Sequence, residues 1–598
     1  GVSAYRTGVA RLDWKDLPVA IADIERIEVT RSPDSAAWGP NSMMGVINIV
    51  TRHPADSGNG MLQAGFGSKG AVDATVRLAG NVGEQTVYRM TVNRIEDHGY
   101  DLASTSTSDG AHDGTRLTKL MFNSVSDIGA STLGLDFRMV DGINQIDYLD
   151  KYQVTFPDVY LRTYDLSATW RKAISPNQEL QVLGYVTQRA DRQPWRTCLP
   201  PPLLLPEAFD LWGANPAYLK SFLAGRVPTG GTATDNALLA KLVAAYKSLG
   251  ADAKTPVCVN GDQDIRDRRI NMEVQDTAAL SSSLRVVGGL GWRQDSRYSQ
   301  TYLGGEAANV AWNTFANAEY KPSTWLTFNA GGFYERTQLT DSSFAPRGSA
   351  NLHLAEGQTL RAIISRATRT PNIIEQRADW TYPATDYSRP INGETSGRFY
   401  AHATSPGGLE SERAISRELG YYGVFMHNTL QIDLKYFNDS IDHLISEKLQ
   451  IFDFQPTNSN SAKLRGSEVQ FVFGPRSGVN AFATYSYLDN QSTSILEQTQ
   501  YSRHTGSLGF AHRLNDTWHY SVAYYGASSN GLDQSWYGRE DVSLGYTARL
   551  GSKRALTLTL TVQHLDNNVT TYFVDYGKPK SSSYNGSTQG FLSANFEF

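Results

Sequence analysis

Few residues in this chain are spaced to do chemistry by themselves. There is no His-Glu-x-x-His, no Gly-x-Ser-x-Gly and no phosphate-binding glycine loop, and the 11 His are scattered. No enzyme is indicated, and no resident cofactor or metal is expected. Asp262, Asp264 and Asp267 place three carboxylates close together, but not at the spacing of an EF-hand loop. A solvated acidic loop is the better reading. The two cysteines, Cys198 and Cys258, lack CxxC spacing. They suit one disulfide formed in an oxidising compartment rather than a zinc site; two unpaired thiols are the other reading. Trp195 and Arg196 stand just before Cys198, where an aromatic and a cation would face a ligand if this segment closes over one.

What must position such residues is a sheet. Aromatics make up 11% of the 598 residues, with 31 Tyr, while charged residues are only 19%, below the roughly 25% of a soluble domain. Mean hydropathy is −0.39. No apolar run approaches the ~18 residues of a spanning helix, so a helical membrane protein is excluded. A transmembrane barrel is not, because its strands alternate lipid-facing and lumen-facing side chains and average out as polar. The net charge of −5 speaks against a nucleic-acid partner.

Two-residue alternation recurs along most of the chain. Leu556, Leu558, Leu560 and Val562 interleave with Thr557, Thr559, Thr561 and Gln563. Val542, Leu544 and Tyr546 interleave with Ser543, Gly545 and Thr547, and Leu430, Ile432 and Leu434 with Gln431, Asp433 and Lys435. Each run makes one apolar and one polar face. The polar positions are Thr, Ser, Gln, Asn and Gly as often as Lys or Glu, which suits a lumen. Aromatics such as Trp325 and Tyr334 crowd segment ends, where interfacial girdles would lie. The chain stops on Leu592, Ala594, Phe596 and Phe598 in the same alternation.

Two regions depart from this pattern. Residues 1–57 read as part of a small α/β domain, with a helix-to-strand passage at 23–29, a turn-rich stretch at 31–41 and a compact strand at 46–50. Residues 194–268 are a long insertion that is Pro-rich at first and then helical over 237–249, where apolar residues recur every three or four positions. So long a loop belongs on the extracellular side. We expect a Cys198–Cys258 bond to close it into a folded cap whose small core holds Pro206, Phe209, Trp212, Leu238, Leu242 and Leu249. The chain opens with Gly1-Val-Ser-Ala-Tyr5 and shows no signal peptide, as a processed chain or fragment would.

Residues Ile24 to Arg52, with Ile-Glu-Arg-Ile-Glu-Val at the start and Gly45-Val-Ile-Asn-Ile near the end, resemble the second half of the plug of TonB-dependent receptors. Arg369-Thr-Pro-Asn-Ile-Ile-Glu375, Leu409-Glu-Ser-Glu412 with Glu418-Leu-Gly420, Asn458 with Gly466-Ser-Glu468, and Gln563-His-Leu-Asp-Asn-Asn568 resemble further family boxes, in family order. Ser32 and Met44 stand where the family has Gly; the backbone can still turn there if neither position needs a positive φ, with a turn that differs locally. The first half of the plug and the energy-coupling box find no counterpart in these residues.

The resemblance implies an all-β fold: a 22-stranded antiparallel transmembrane β-barrel, 58–598, in the outer membrane of a Gram-negative bacterium, with the plug in its lumen. About 24 residues per strand and loop fit that number. It implies energised import of a ferric siderophore or other metal chelate, in partnership with the TonB complex and outer-membrane lipid or lipopolysaccharide, by a monomer. Haem, cobalamin, free-metal and glycan importers are rivals within the family, and a passive porin-like channel or a barrel enzyme outside it. By the same resemblance Tyr5, Arg6, Trp38 and Asn41 stand at the plug apices and touch ligand. Glu28, Arg31, Arg52 and Glu468 form plug-to-barrel ion pairs. His402 lies where haem receptors place a haem ligand.

Overall fold

The computed structural model describes residues 1–8, 12–100, 113–145, 158–446, 449, 454–475, 478–530, 535–551, 554–567, 569–575, 578–584 and 587–598. Asn568, the last residue of the final family box, lies outside them.

Alternation becomes a wall. Val542, Leu544 and Tyr546 of strand Tyr537–Arg549 lie directly opposite Val562, Leu560 and Leu558 of strand Ala555–Leu565. Their side chains form one exposed apolar face. The interleaved Ser543 and Thr561 hydrogen-bond across the other face, 3.2 Å apart. Repeating this arrangement makes a closed barrel of 22 antiparallel strands. It runs from Gly60–Gly67 to Thr588–Glu597, and those two strands seal it, with Met61 opposite Glu597. Closure leaves no unpaired edge, which a strand in lipid requires. Trp325 and Tyr334 are exposed on the outside, as the girdle reading expects.

Turns at one end are short, such as that between strands ending at Ile128 and beginning at Ser131. The other end carries the long insertions and is therefore extracellular. The first insertion is shorter than expected, because barrel strand Ile265–Ala279 resumes three residues before 268. A ribbon of Pro194–Leu199 and Val257–Asp262 forms its stem, with Cys198 directly opposite Cys258 and the two joined by a disulfide. Helices Pro206–Ala214, Pro216–Leu223 and Ala233–Ser248 stand on it.

A second insertion, absent from the sequence reading, completes the cap. Hairpin Asp379–Ala384/Gly397–Thr404 packs on the first helix. Asn260 and Thr385 exchange backbone hydrogen bonds of 2.9 Å, and Ser388 donates to the Cys258 carbonyl at 2.9 Å. Trp195, Leu205, Leu211, Trp212, Leu242, Val257, Ile391 and Phe399 form one buried core across both insertions. Of the anticipated core residues, Trp212 and Leu242 are buried and Phe209, Leu238 and Leu249 half-buried. Pro206 is exposed, since it opens its helix where a missing N–H is harmless.

Residues 1–57 lie inside the barrel. Short 3-10 turns Trp14–Asp16 and Ile21–Asp23 lead into strand Ile24–Thr30, which pairs antiparallel with Val46–Thr51 around the four-residue helix Ser35–Trp38. Ser32 and Met44 keep negative φ, as their replacement of Gly requires. Gly45 must stay Gly: a Cβ there would sit 2.4 Å from the Thr30 carbonyl oxygen.

Candidate functional site

Barrel strands place charged side chains on the lumen face at the height where the plug meets the wall. Three clusters ring the upper lumen beneath the cap. In the first, Arg6 reaches Asp191 at 2.6 Å and Asp13 at 3.5 Å, and Arg189 holds Asp16 and Asp191 at 2.7 Å each. Arg297 binds Asp267 through two nitrogens, at 2.5 and 2.6 Å. Gly8 lets the plug backbone pass this guanidinium, because a Cβ would lie 1.8 Å from Arg297 Nε. In the second, Arg269 grips Asp295, and Arg293 bridges Asp295 and Glu335, each at 3.1 Å. In the third, Arg369 of the first downstream box binds Glu412 of the next through two 2.6 Å contacts and Glu375 at 3.1 Å. Burial pushes the Glu375 carboxyl up, and Arg369 opposes that shift. Buried charges need such partners, because an unpaired one costs several kcal/mol, about 3–5 when its partner is removed.

The lower lumen holds the plug by a further set of contacts. Arg31 meets Glu468 at 3.1 Å and Asp433 at 3.4 Å. Lys435 contacts the Arg31 carbonyl and lies 3.9 Å from Glu468. Asp34 pairs with Arg347 at 3.1 Å. Deeper, Asp23 lies 3.5 Å from Arg77 and 3.7 Å from Arg89, all three buried. A cavity of about 670 Å³ runs between plug and wall here, lined by Arg31 and Asp34 on one side and Arg285, Glu319, Arg361 and Lys435 on the other.

The anticipated site residues divide. Arg31 and Glu468 meet as a plug-to-barrel pair. Glu28 does not join them: it binds Arg26 at 2.7 Å and Asn48 at 2.9 Å within the plug, because a strand residue whose side chain leaves the wall side finds partners on its own sheet. Arg52 offers its carbonyl to Arg89 at 2.7 Å while its side chain is exposed. Tyr5 is half-buried in the upper lumen, and burial pushes its phenol up to about 12, so it remains a hydrogen-bond donor at neutral pH. Arg6 is committed to its carboxylates rather than standing free at a loop tip.

Trp38 is 52% exposed. Asn41 takes a left-handed turn, φ 74°, its N–H on the Thr368 carbonyl at 2.9 Å and its Oδ1 buried without a hydrogen bond. Trp195 is buried in the cap core against Tyr382 and Phe399, so it cannot face a lumen ligand, whereas Arg196 binds Asn260 at 3.0 Å on the exposed side of the stem. His402 stacks on Phe209 and gives Nε2 to Asp379 at 2.8 Å, which engages the atom an axial haem ligand would use. Asp262, Asp264 and Asp267 are each spent on separate partners: Arg192, the Gln300 N–H and Arg297.

Sequence reasoning missed Asp13, Asp16, Asp23 and Asp34 on the plug and Arg77, Arg89, Arg189 and Arg347 on the wall. One signal was present: each of these Arg sits at a lumen position of an alternating strand, where Thr, Ser or Asn is usual.

The TonB dependent receptor-like, beta-barrel family model matches residues 99–567. The chain belongs to the TonB-dependent receptor family. These receptors are outer-membrane β-barrels of Gram-negative bacteria, and the family comprises transport receptors, not enzymes. This receptor is 23% identical over 463 residues to a ferric enterobactin receptor of Pseudomonas aeruginosa, covering 72% of this chain and 56% of that one. It is 28% identical over 116 residues to a pesticin receptor of Yersinia pestis, 19% of this chain and 17% of the other. The receptor thus spans about half the length, or less, of these curated relatives. By structure it is similar to the FrpB iron transporter of Neisseria meningitidis, with a TM-score of 0.68 at 12% identity, covering 97% of this chain and 89% of that one. The ferric-catecholate import receptor Fiu of E. coli gives 0.66 at 12%, covering 96% and 87%. At such identities the likeness is one of fold.

Proposed function

We propose that this receptor imports an iron chelate, a ferric siderophore, across the outer membrane, and that it does so by force-driven displacement of the plug. The observation that carries the reading is the arrangement of two closures in series. A folded cap stands over the barrel mouth, and a plug below it is held to the wall by ion pairs. A passive pore has no use for a plug tied to its wall. The chelate would rest between them, against Trp38, Tyr5 and Asn41. Trp38 offers a flat, low-entropy surface and an indole donor. The coupling partner would be the TonB complex, pulling on the plug from the periplasmic side. Relatives named for ferric enterobactin and for iron transport support iron as the cargo.

Uptake of radiolabelled ferric siderophores by iron-limited cells tests this. Accumulation should need both this receptor and an energised inner membrane. Trp38→Ala should weaken chelate binding by at least about 1 kcal/mol in calorimetry, as truncation of an aromatic anchor commonly does. Unhindered passage of small sugars through the intact protein in liposome swelling would instead mark a porin and end the reading.

A further inference from the structure

Two wall strands bring metal-ligating side chains together at the extracellular rim, on the outside of the barrel and away from the lumen. Glu540 of strand Tyr537–Arg549 lies directly opposite His564 of strand Ala555–Leu565. Both share the parity of Val542 and Val562, whose side chains form the exposed apolar face, and both stand one step beyond it toward the extracellular end. Asp566 follows at the same parity. Its N–H donates to the Gly538 carbonyl at 3.0 Å, which carries the strand pairing one step further and sets Asp566 diagonally beside Glu540. Gly538 makes room for this carboxylate, since a Cβ there would lie 2.1 Å from Asp566 Oδ2.

A carboxylate oxygen of Glu540, an imidazole nitrogen of His564 and a carboxylate oxygen of Asp566 all lie within 4.8 Å of one another. Thr588, on the strand that seals the barrel, hydrogen-bonds His564 Nδ1 through its hydroxyl at 2.8 Å. That contact orients the ring and leaves Nε2 as the open nitrogen, the arrangement in which metal-ligating histidines are generally held. Among the described residues no Lys or Arg pairs with either carboxylate. Arg539, the neighbour of Glu540, is spent on Asp541 at 2.8 Å and on the Tyr525 ring. The cluster differs in this from Asp262, Asp264 and Asp267, each of which has a protein partner. Two carboxylates so close repel each other, and a cation held between them and the imidazole reverses the sign of that interaction.

We propose that Glu540, His564 and Asp566 form a binding site for a divalent transition cation of the zinc class. The imidazole sets the class, because Ca²⁺ and Mg²⁺ take oxygen donors whereas imidazole with carboxylate suits Zn²⁺ and its neighbours. Donors about 2.0–2.2 Å from such an ion stand roughly 3–4 Å apart. Small rotations of these side chains close the site, and water completes the coordination. The bound ion joins the two wall strands at the foot of the hairpin formed by Val569–Asp575 and Lys578–Tyr584, outside the path of any cargo.

Calorimetric titration of the purified, chelator-stripped receptor in detergent with zinc chloride tests the assignment. H564A and E540Q/D566N should each bind zinc at least tenfold more weakly than the parent. H512A, which removes an imidazole elsewhere on the wall, should stay within twofold of it. Calcium chloride should bind at these residues at least a hundredfold more weakly than zinc. Heat-modified electrophoretic mobility reports whether each barrel is folded. G538A keeps all three donors but crowds the Asp566 carboxylate, so it should weaken zinc binding at least threefold and serves as a second variant if a donor substitution fails to fold. Zinc should also slow hydrogen exchange of the Asp566 amide in the parent and not in H564A. Zinc binding by the donor variants within twofold of the parent, calcium binding there as tight as zinc, or zinc binding that leaves the Asp566 amide unprotected would each overturn the proposal.

Discussion

The cap and the plug are both small units, one over the barrel mouth and one in its lumen, and they are held together by opposite means. The cap has a continuous apolar core drawn from two insertions, with Trp212, Leu211, Leu242 and Val257 almost wholly buried, and a disulfide at its stem. The plug has almost none. Among its described residues Ala20, Ala36 and Met43 are buried, while Ile27, Val29, Ile47 and Trp38 remain exposed. It is held by carboxylate–guanidinium contacts to the wall. Apolar burial grows with area and must be undone all at once, at roughly 25 cal/mol per Å². Ion pairs are discrete contacts that can be released one at a time, the partly exposed Arg31 pairs most easily. On the proposed function, this contrast makes the cap the fixed lid and the plug the part that yields.

The largest expected effect tests the lid. Trp212→Ala removes a side chain that is 1% exposed and donates its indole N–H to the His402 carbonyl at 2.9 Å. It should destabilise the cap by about 3–5 kcal/mol, the range for such truncations. Hydrogen exchange of helix Ala233–Ser248 should rise steeply while the barrel strands stay protected. If barrel and cap lose protection together, they are one cooperative unit and the contrast fails.

Replacing Cys198 and Cys258 together by Ser comes next. The bond spans 60 residues and should contribute up to ~4 kcal/mol in the chain-entropy model. Limited proteolysis should then cut between 200 and 256 while siderophore uptake persists if the lid is only protective. Loss of uptake with the barrel intact would make the cap part of the binding site.

A smaller effect is expected from Arg31→Ala. The pairs it breaks are partly solvated, and Lys435 and Arg361 remain beside the carboxylates, so the change should stay below about 1 kcal/mol. Urea should open the pore to ions, in planar-bilayer conductance, at a modestly lower concentration. No shift would mean that this contact does not hold the gate.

The smallest effect is a pH slope at the junction of the two regions. Burial raises the Glu375 carboxyl above its ordinary value of 4.5. The folded protein therefore takes up this proton more readily than the unfolded chain. The stabilisation it gives is fully present below about pH 4.5 and is lost as pH rises through the raised value. The protection factor of helix Ile373–Arg377, taken relative to the intrinsic exchange rate at each pH, should rise on acidification toward pH 4.5, and Glu375→Gln should flatten that dependence. An unchanged slope in the variant would assign it to another group.

The sequence by itself determined the barrel. A strand turns alternate side chains to opposite faces wherever it lies, so runs such as 556–562 reveal wall strands without any knowledge of their neighbours. The cap helix was legible for the same local reason, since apolar residues every three or four positions make a helical face, and the two cysteines had only each other to pair with. Partnership across the lumen was not legible. Arg6 was read as a ligand contact and Glu28 as a wall contact, yet Arg6 met Asp191 and Glu28 stayed within its own sheet. Nothing near Asp23 names Arg77 or Arg89, and nothing near Trp195 names Phe399. Such pairs arise from how the barrel closes and from the depth at which the plug sits in it. They join residues tens to hundreds of positions apart, whose local sequences carry no memory of each other. Periodicity is a property of one strand or helix, whereas charge pairing and core membership are properties of the enclosed space, and that space exists only after the 22 strands have met.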